Sequence, residues 1–340
     1  MWRYSLLMVC GCLLLLAGCG DDGGTSPGPT GSWEAMGQFD GPVNALVIYD
    51  GDLIAGGAFS HVGGVAISHL ARWDGDSWED VGGGVSGYEL QGTDISFVRA
   101  MTVYDGKLIV AGYFKYSGGI NAKRIAQWNG TSWDSLESGF STDAILNGPN
   151  CVMVAGGGLV VGGGFSEAGG VSVNRIARWN GAAWSALGSG LIGLTLPSVD
   201  ALAPHDGELV VGGSFSSAGG VLAANIATWD GAAWDSVGSG MMGGGVLSLV
   251  NYDGDLVAGG TFTGAGGVAA ERIARWEGNS WSALGAGIAG STLAMVRTLE
   301  VYDGDLIAGG YFGTAGGKAV GAIAVWDGSS WGALGSGLGG

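Results

Sequence analysis

Few side chains in this 340-residue chain have the type and spacing that chemistry needs. The three histidines, His61, His69 and His205, fall in three separate segments, and His205 sits beside an Asp-Gly pair. Imidazole-rich coordination requires several ligands converging on one ion. That spacing offers no such set, so neither a metal nor another cofactor is expected. Asp50/Asp52, Asp253/Asp255 and Asp303/Asp305 each flank a glycine. Calcium asks for about six to eight oxygens, and without a longer Asp-x-Asp-x-Asp-Gly pattern these pairs read as turns. There is no phosphate loop, Ser-His-Asp constellation or Cys-His zinc spacing. What remains suits recognition: Asn44, Arg99, Asn150, Asp200 and Arg297 for hydrogen bonds and charge, with Tyr88, Phe97 and Tyr116 for stacking. Glu89, Asp94 and Asp200 are the only carboxylates a glycan-cleaving alternative has for its acid and base.

The elements that must position these residues are legible in the tryptophans. Trp73/Trp78, Trp128/Trp133, Trp179/Trp184, Trp229/Trp234, Trp276/Trp281 and Trp326/Trp331 form pairs five residues apart, repeating about every 50 residues. Trp33, unpaired, precedes Trp78 by 45 residues. Each period holds four short apolar segments, in the fifth unit Val246–Tyr252, Leu256–Phe262, Arg272–Trp276 and Trp281–Leu284. Their length and their Val, Ile, Tyr and Trp content predict strands. Asp-Gly between the first two, at Asp50, Asp105, Asp206, Asp253 and Asp303, predicts type I′ hairpins, because both turn residues take positive φ. A four-residue loop between the paired tryptophans would set them opposite each other across two strands. With 73 Gly, 47% hydrophobic and 13% charged residues, the chain is neither a charged disordered polymer nor, lacking a Gly-X-Y period, collagen.

The order of apolar strand, D-G, L-I-A-G-G, I-A-R-W-D-G and W-x-x-L-G resembles kelch-type repeats of the galactose-oxidase kind. The segment G-G-x-F-x-x-A-G-G-V…I-A-x-W-x-G-x-x-W-x-x-L-G-S-G is closer still to repeats of fungal cortical polarity-marker proteins and their bacterial relatives. The resemblance spans Ser32 to Gly340 and implies an all-β protein, a β-propeller. It implies little about function, since such propellers serve many roles. Fourth-strand motifs number seven, from Trp33 to Trp331, while the other three strands occur six times. Six four-stranded blades with one surplus closing strand are expected; an incomplete seventh blade is the alternative.

In an up-and-down blade the Asp-Gly turns and the tryptophan loops share one end. The other end carries the length variation, including the excursion Gly84 to Ser96 with Tyr88, Glu89 and Asp94. Function concentrates on variable loops held by a rigid scaffold. The second residue of each first strand is Asn44, Arg99, Asn150, Asp200, Leu247 and Arg297. First strands are innermost in a propeller, so these residues are expected to ring the channel mouth on the variable end. Arg72, Arg178 and Arg275 recur with the repeat and read as structural, their stems covering apolar surface.

At the N-terminus, Arg3 precedes an apolar run from Leu6 to Ala17, too short to span a bilayer core of about 30 Å. It has the proportions of a secretory h-region. Leu16-Ala17-Gly18-Cys19 resembles the bacterial lipoprotein box, which implies cleavage after residue 18, lipid on Cys19 and residence in the bacterial cell envelope. Residues 19–31 read as a lipidated tether and 32–340 as the propeller. Only Cys151 then remains in the folded part, where it is expected to fill core. The formal charge of −17 becomes −18 without Arg3, which argues against nucleic acid and against any membrane contact beyond the anchor. The expected function is non-enzymatic: a monomeric binding scaffold for a glycan or protein partner, or else a structural envelope element without a small ligand.

Overall fold

The computed structural model describes the backbone of Tyr4–Val9 and Cys12–Ala17, together with residues 34–140, 148–193 and 195–335. Cys19, the tether and Trp33 itself lie outside the described residues. Among the described residues every regular element is a strand. Six four-stranded antiparallel sheets follow one another along the chain, each in the order first, second, third, fourth strand. The first comprises Val43–Tyr49, Asp52–Gly57, Leu70–Trp73 and Trp78–Asp80, and the sixth Met295–Tyr302, Asp305–Tyr311, Ile323–Trp326 and Trp331–Ala333. The five Asp-Gly turns have the predicted geometry, with Asp φ between 49 and 53° and the following glycine also positive.

Neither face of a single sheet is self-sufficient, and the core lies between successive sheets. Ile54 and Leu70 of the first sheet pack with Val98, Leu108 and Val110 of the second. The paired tryptophans sit directly opposite each other in all six sheets, with ring centroids 5.1–5.4 Å apart. The second tryptophan of each pair also reaches into the preceding unit. The Trp133, Trp184, Trp234, Trp281 and Trp331 indole N–H groups donate to the carbonyls of Gly82, Leu136, Leu187, Val237 and Leu284, at 2.9–3.2 Å. Each acceptor lies three or four residues beyond the previous unit's second tryptophan. Trp78 makes the same bond to Met36, at 2.6 Å, so the segment after Trp33 stands where a preceding unit's fourth strand would stand.

Five of the six second strands close on two glycines, and the second unit closes on Ala111-Gly112; both positions are sterically tight. A Cβ on the first of them would strike the neighbouring sheet: Gly56 would meet Val98 at 2.5 Å and Gly162 would meet Val199 at 2.3 Å. A Cβ on the second would lie 2.0–2.2 Å from a backbone carbonyl of its own sheet, Pro42 for Gly57 and Phe97 for Gly112. Only hydrogen fits at the second place; at the first, Gly56 and Gly162 have no room for a methyl group, whereas the second unit accommodates Ala111.

Two features depart from a plain four-stranded unit. In every unit the loop between second and third strands folds back on itself as a short two-stranded ribbon, and in the second, fourth, fifth and sixth units a third strand joins it. That strand belongs to the connection from the preceding unit, as Met241–Met242 does in pairing with Gly264–Ala265. The second feature is the seam. Inner strands of successive sheets are neighbours from Val43–Tyr49 through to Met295–Tyr302, but the first and last of these meet through Tyr4–Val9. Its hairpin partner Cys12–Ala17 pairs with Glu34–Ala35 in the register that third strands keep with fourth strands elsewhere: Leu15 opposite Glu34 corresponds to Gln127 opposite Asp134.

Candidate functional site

The ring positions owe their geometry to a repeated irregularity. In every first strand the pairing register skips one residue: between Val43 and Ala45, Val98 and Ala100, Pro149 and Cys151, Val199 and Ala201, Val246 and Ser248, and Val296 and Thr298. The skipped residues are Asn44, Arg99, Asn150, Asp200, Leu247 and Arg297. A β-bulge leaves one residue without a cross-strand partner and re-aims its side chain. One backbone device, used six times, thus frees the six side chains whose identities vary most.

Three of the six converge. Arg99, Asn150 and Asp200 line one pocket of about 230 Å³ together with Phe97, Tyr113, Pro149, Leu196 and Ser198. Asn150 Nδ2 donates to Asp200 Oδ1 at 2.8 Å, and the Ser198 hydroxyl donates to Asp200 Oδ2 at 2.8 Å. Burial pushes the Asp200 carboxyl above the usual carboxylate range, against the pull of Ser198, Arg99, Asn150 and, farther off, Arg297. Burial also lowers Arg99, and the like charge of Arg297 adds to that effect. Arg297 therefore belongs to the same electrostatic cluster, although it is exposed and its nearest polar partner is the Met295 sulfur at 3.6 Å.

The remaining candidates are placed elsewhere. Asn44 is spent on structure: its Nδ2 donates to the Val98 carbonyl of the next sheet at 2.8 Å. Glu89 and Asp94 face each other in an exposed two-stranded ribbon, Glu89–Leu90 with Thr93–Asp94. Asp94 accepts the Ser96 and Gly87 N–H groups at 2.8 and 3.4 Å, which closes the base of that excursion. Tyr116 lies in a small sheet opposite Ser86, with the Lys115 ammonium 5.1 Å from its ring centre. Tyr88 is half-buried and stacks flat on Tyr113, at 4.0 Å between centroids and 10° between planes. It backs the pocket wall.

Two kinds of residue escaped sequence reasoning. Tyr113 forms the pocket's aromatic wall with Phe97, 5.7 Å away. It occupies the x of G-G-x-F, where the other units carry Ala58, Gly164, Ser214, Thr261 and Tyr311, so variation inside an otherwise constant motif was the available signal. The residue before each third strand, His69, Arg124, Arg175, Asn225, Arg272 or Ala322, is left-handed, with φ between 61 and 77°. From there Arg175 donates to the Pro197 carbonyl at 3.0 Å and Arg272 to that of Ala294 at 2.9 Å, pinning the crossovers. Arg124, fully buried, lies over the Tyr113 and Tyr88 rings at 4.8 and 5.4 Å and braces the wall from behind. Nothing in the local sequence marks this position as left-handed.

The other expected structural residues act at the turn end. Arg275 pairs with Asp255 at 2.5 Å and Arg72 with Glu79 at 3.3 Å, while Arg178 donates to the Gly156 carbonyl. Cys151 is half-buried, and burial raises its thiol well beyond the usual range. Among the described residues no three His, Cys, Asp or Glu side chains gather closely enough to hold a metal ion.

Comparison with known proteins agrees with the fold. A family model described as "Domain of unknown function (DUF5122) beta-propeller" matches residues 105–129 and 205–227. These segments run from the first turn through the third strand of the second and fourth units. No curated protein matches the chain. Among solved structures, the extracellular domain of a hybrid two-component system from B. thetaiotaomicron superposes with a TM-score of 0.54 at 10% identity. The match covers 91% of this chain and 36% of that one, so this chain spans little more than a third of its length. The computationally designed Ika8 protein superposes with a TM-score of 0.50 at 13% identity, covering 96% of this chain and 82% of that one. At such identities the likeness concerns the fold alone. The molecule is an all-β protein with β-propeller architecture.

Proposed function

We propose that this protein is a non-enzymatic binding scaffold, exported, cleaved after residue 18 so that the seam hairpin Tyr4–Val9 and Cys12–Ala17 is absent from the mature form, and held by lipid on Cys19 in a bacterial cell envelope. As a monomer it offers the mouth on its variable end to an envelope glycan or protein. The observation that carries this reading is the convergence of three bulge residues, Arg99, Asn150 and Asp200, on one pocket with an aromatic wall. A concave site with a few polar groups and adjoining rings is built for recognition. Turnover of a glycan would need a second carboxylate facing Asp200, and the other two candidates, Glu89 and Asp94, sit in the exposed ribbon outside the pocket lining.

The architecture that accompanies this reading is six complete blades and one surplus strand. The Met36 bond supports it, because it gives the segment after Trp33 the place of a fourth strand ahead of the first blade. Binding of the detergent-solubilised full chain to an array of glycans and envelope polysaccharides tests the function. Signals that vanish in an Arg99→Ala/Arg297→Ala variant of unchanged thermal stability are the expected result. Signals indifferent to that change would put the glycan site elsewhere than the mouth, and no signal would leave a protein partner or a purely structural envelope role.

A further inference from the structure

Resting on that reading of the mouth, we propose that its ligand is a carboxylate-bearing sugar residue and that the Arg99 guanidinium binds the carboxylate. Arg99 is the lining's one positively charged side chain. It is half-buried in the pocket wall, yet among the described residues no side chain or carbonyl bonds to its guanidinium. Asp200 shares the pocket, but each of its two oxygens already accepts a bond, from Asn150 and from Ser198. Asp200 acts on Arg99 through its charge, with no hydrogen bond between the two side chains among the described residues, and each of its oxygens keeps a further acceptor site.

Arg297 adds a second positive charge to the cluster, as its effect on both Arg99 and Asp200 records. Positive charge from two arginines, Arg99 in the lining and Arg297 outside it, thus acts on the single lining carboxylate of a chain whose formal charge is −17. Like charges brought together in a partly desolvated place repel each other. The arrangement is relieved by an incoming anion, and a carboxylate matches the planar fork of arginine with two parallel hydrogen bonds.

The rest of the lining narrows the class. Phe97, half-buried, and Tyr113, largely covered, border the pocket, and Pro149 and Leu196 add apolar contact. Tyr113 is held in place by Tyr88 behind it and by Arg124 across both rings. Such a wall takes the apolar face of a sugar ring while the polar groups take its substituents. A pocket of about 230 Å³ has room for one ring. Asp200 accepts hydroxyl donors but opposes a doubly charged anion, which favours a carboxylate over a phosphate ester.

The test is calorimetric titration of the detergent-solubilised full chain with oligomers of galacturonate, glucuronate, mannuronate and N-acetylneuraminate. The neutral hexose oligomers of the same linkage, and free glutamate, are titrated beside them. At least tenfold tighter binding of one acidic oligomer than of its neutral counterpart is expected, weakening as salt rises. Arg99→Gln should abolish that preference, Arg99→Lys should reduce it, and Arg178→Gln at the opposite end should leave it unchanged. Equal binding of acidic and neutral oligomers, or a preference that survives Arg99→Gln, overturns the inference while leaving a glycan-binding mouth. Binding of glutamate as tight as that of the oligomers assigns the site to a protein carboxylate and also overturns it. No binding by any of them defeats the inference, and the glycan array then decides separately whether the mouth reading stands.

Discussion

Carboxylates at the two ends of the same sheets behave in opposite ways. At the turn end, Asp230 accepts the N–H groups of Ala232 and Ala233, each at 2.7 Å, and Asp327 accepts those of Ser329 and Ser330 at 2.8 Å. Hydrogen bonds hold both carboxyls below their ordinary range. At the mouth, burial holds Asp200 above it. The turn end spends its charge on satisfying its own backbone, unit after unit. The mouth keeps charge under tension, and two of its six bulge residues, Arg99 and Asp200, bring that charge to one cavity beside the neutral Asn150. Repetition of a backbone device, with the side chain left free to vary, separates stability from specificity.

The largest expected effect sets the close-packed glycines against the open ones. Gly112→Val puts a side chain about 2 Å from the Phe97 carbonyl and should cost at least several kcal/mol or prevent folding. Gly106→Ala has nothing within 4 Å and needs only a left-handed alanine, about 1–2 kcal/mol. Thermal unfolding of the two variants measures the contrast, and equal losses would break it.

Next comes the tie between units. Trp184→Phe leaves the buried Leu136 carbonyl without its indole donor and should cost about 1–3 kcal/mol by denaturant unfolding. Trp78→Phe should cost a similar amount if the segment after Trp33 is as firmly integrated as the others. A much smaller loss would mark the seam as loose.

The smallest effects concern pH. Because the folded Asp200 carboxyl lies above its unfolded value, the native state binds the extra proton between the two. Its unfavourable contribution is therefore present at neutral pH and disappears as pH falls through the folded value. Asp200→Asn should raise stability at pH 7 and not at low pH. Asp327 has the opposite sign: its contribution is present above the unfolded value and is lost on acidification. Asp327→Ala should thus lose stability at pH 7 and converge on the parent in acid. Unfolding curves across pH 2–8 for both variants check the pair; parallel behaviour would remove the distinction between the two ends.

The fold was largely legible because its cues are local and repeated. Asp-Gly is a backbone preference of two residues, and the five-residue tryptophan spacing fits one tight hairpin, so each could be read without knowing its neighbours. The fifth unit's strands fall within two residues of their expected ends, and Arg272 leaves its strand because it takes a left-handed turn instead. The ring of variable residues was also legible, as a position where constant apolar neighbours flank a changing side chain.

What the sequence determined by itself was the repeat, the strand order and the list of side chains free to vary, since these depend on short-range propensity and pattern. Which of those side chains meet was decided only in three dimensions. Asn44 and Arg99 occupy the same place in the repeat, yet one is consumed by the Val98 carbonyl while the other lines the pocket with no hydrogen bond to its guanidinium among the described residues. Glu89 and Asp94 look like site carboxylates in the chain and turn out to brace and tip an exposed ribbon. Tyr113 is marked in the chain only by variation at its place in the repeat, and its role is set when Phe97 and Arg124 close around it. The reason is physical: a bulge and a left-handed residue redirect side chains at little cost in local preference, and only packing between units shows where they point.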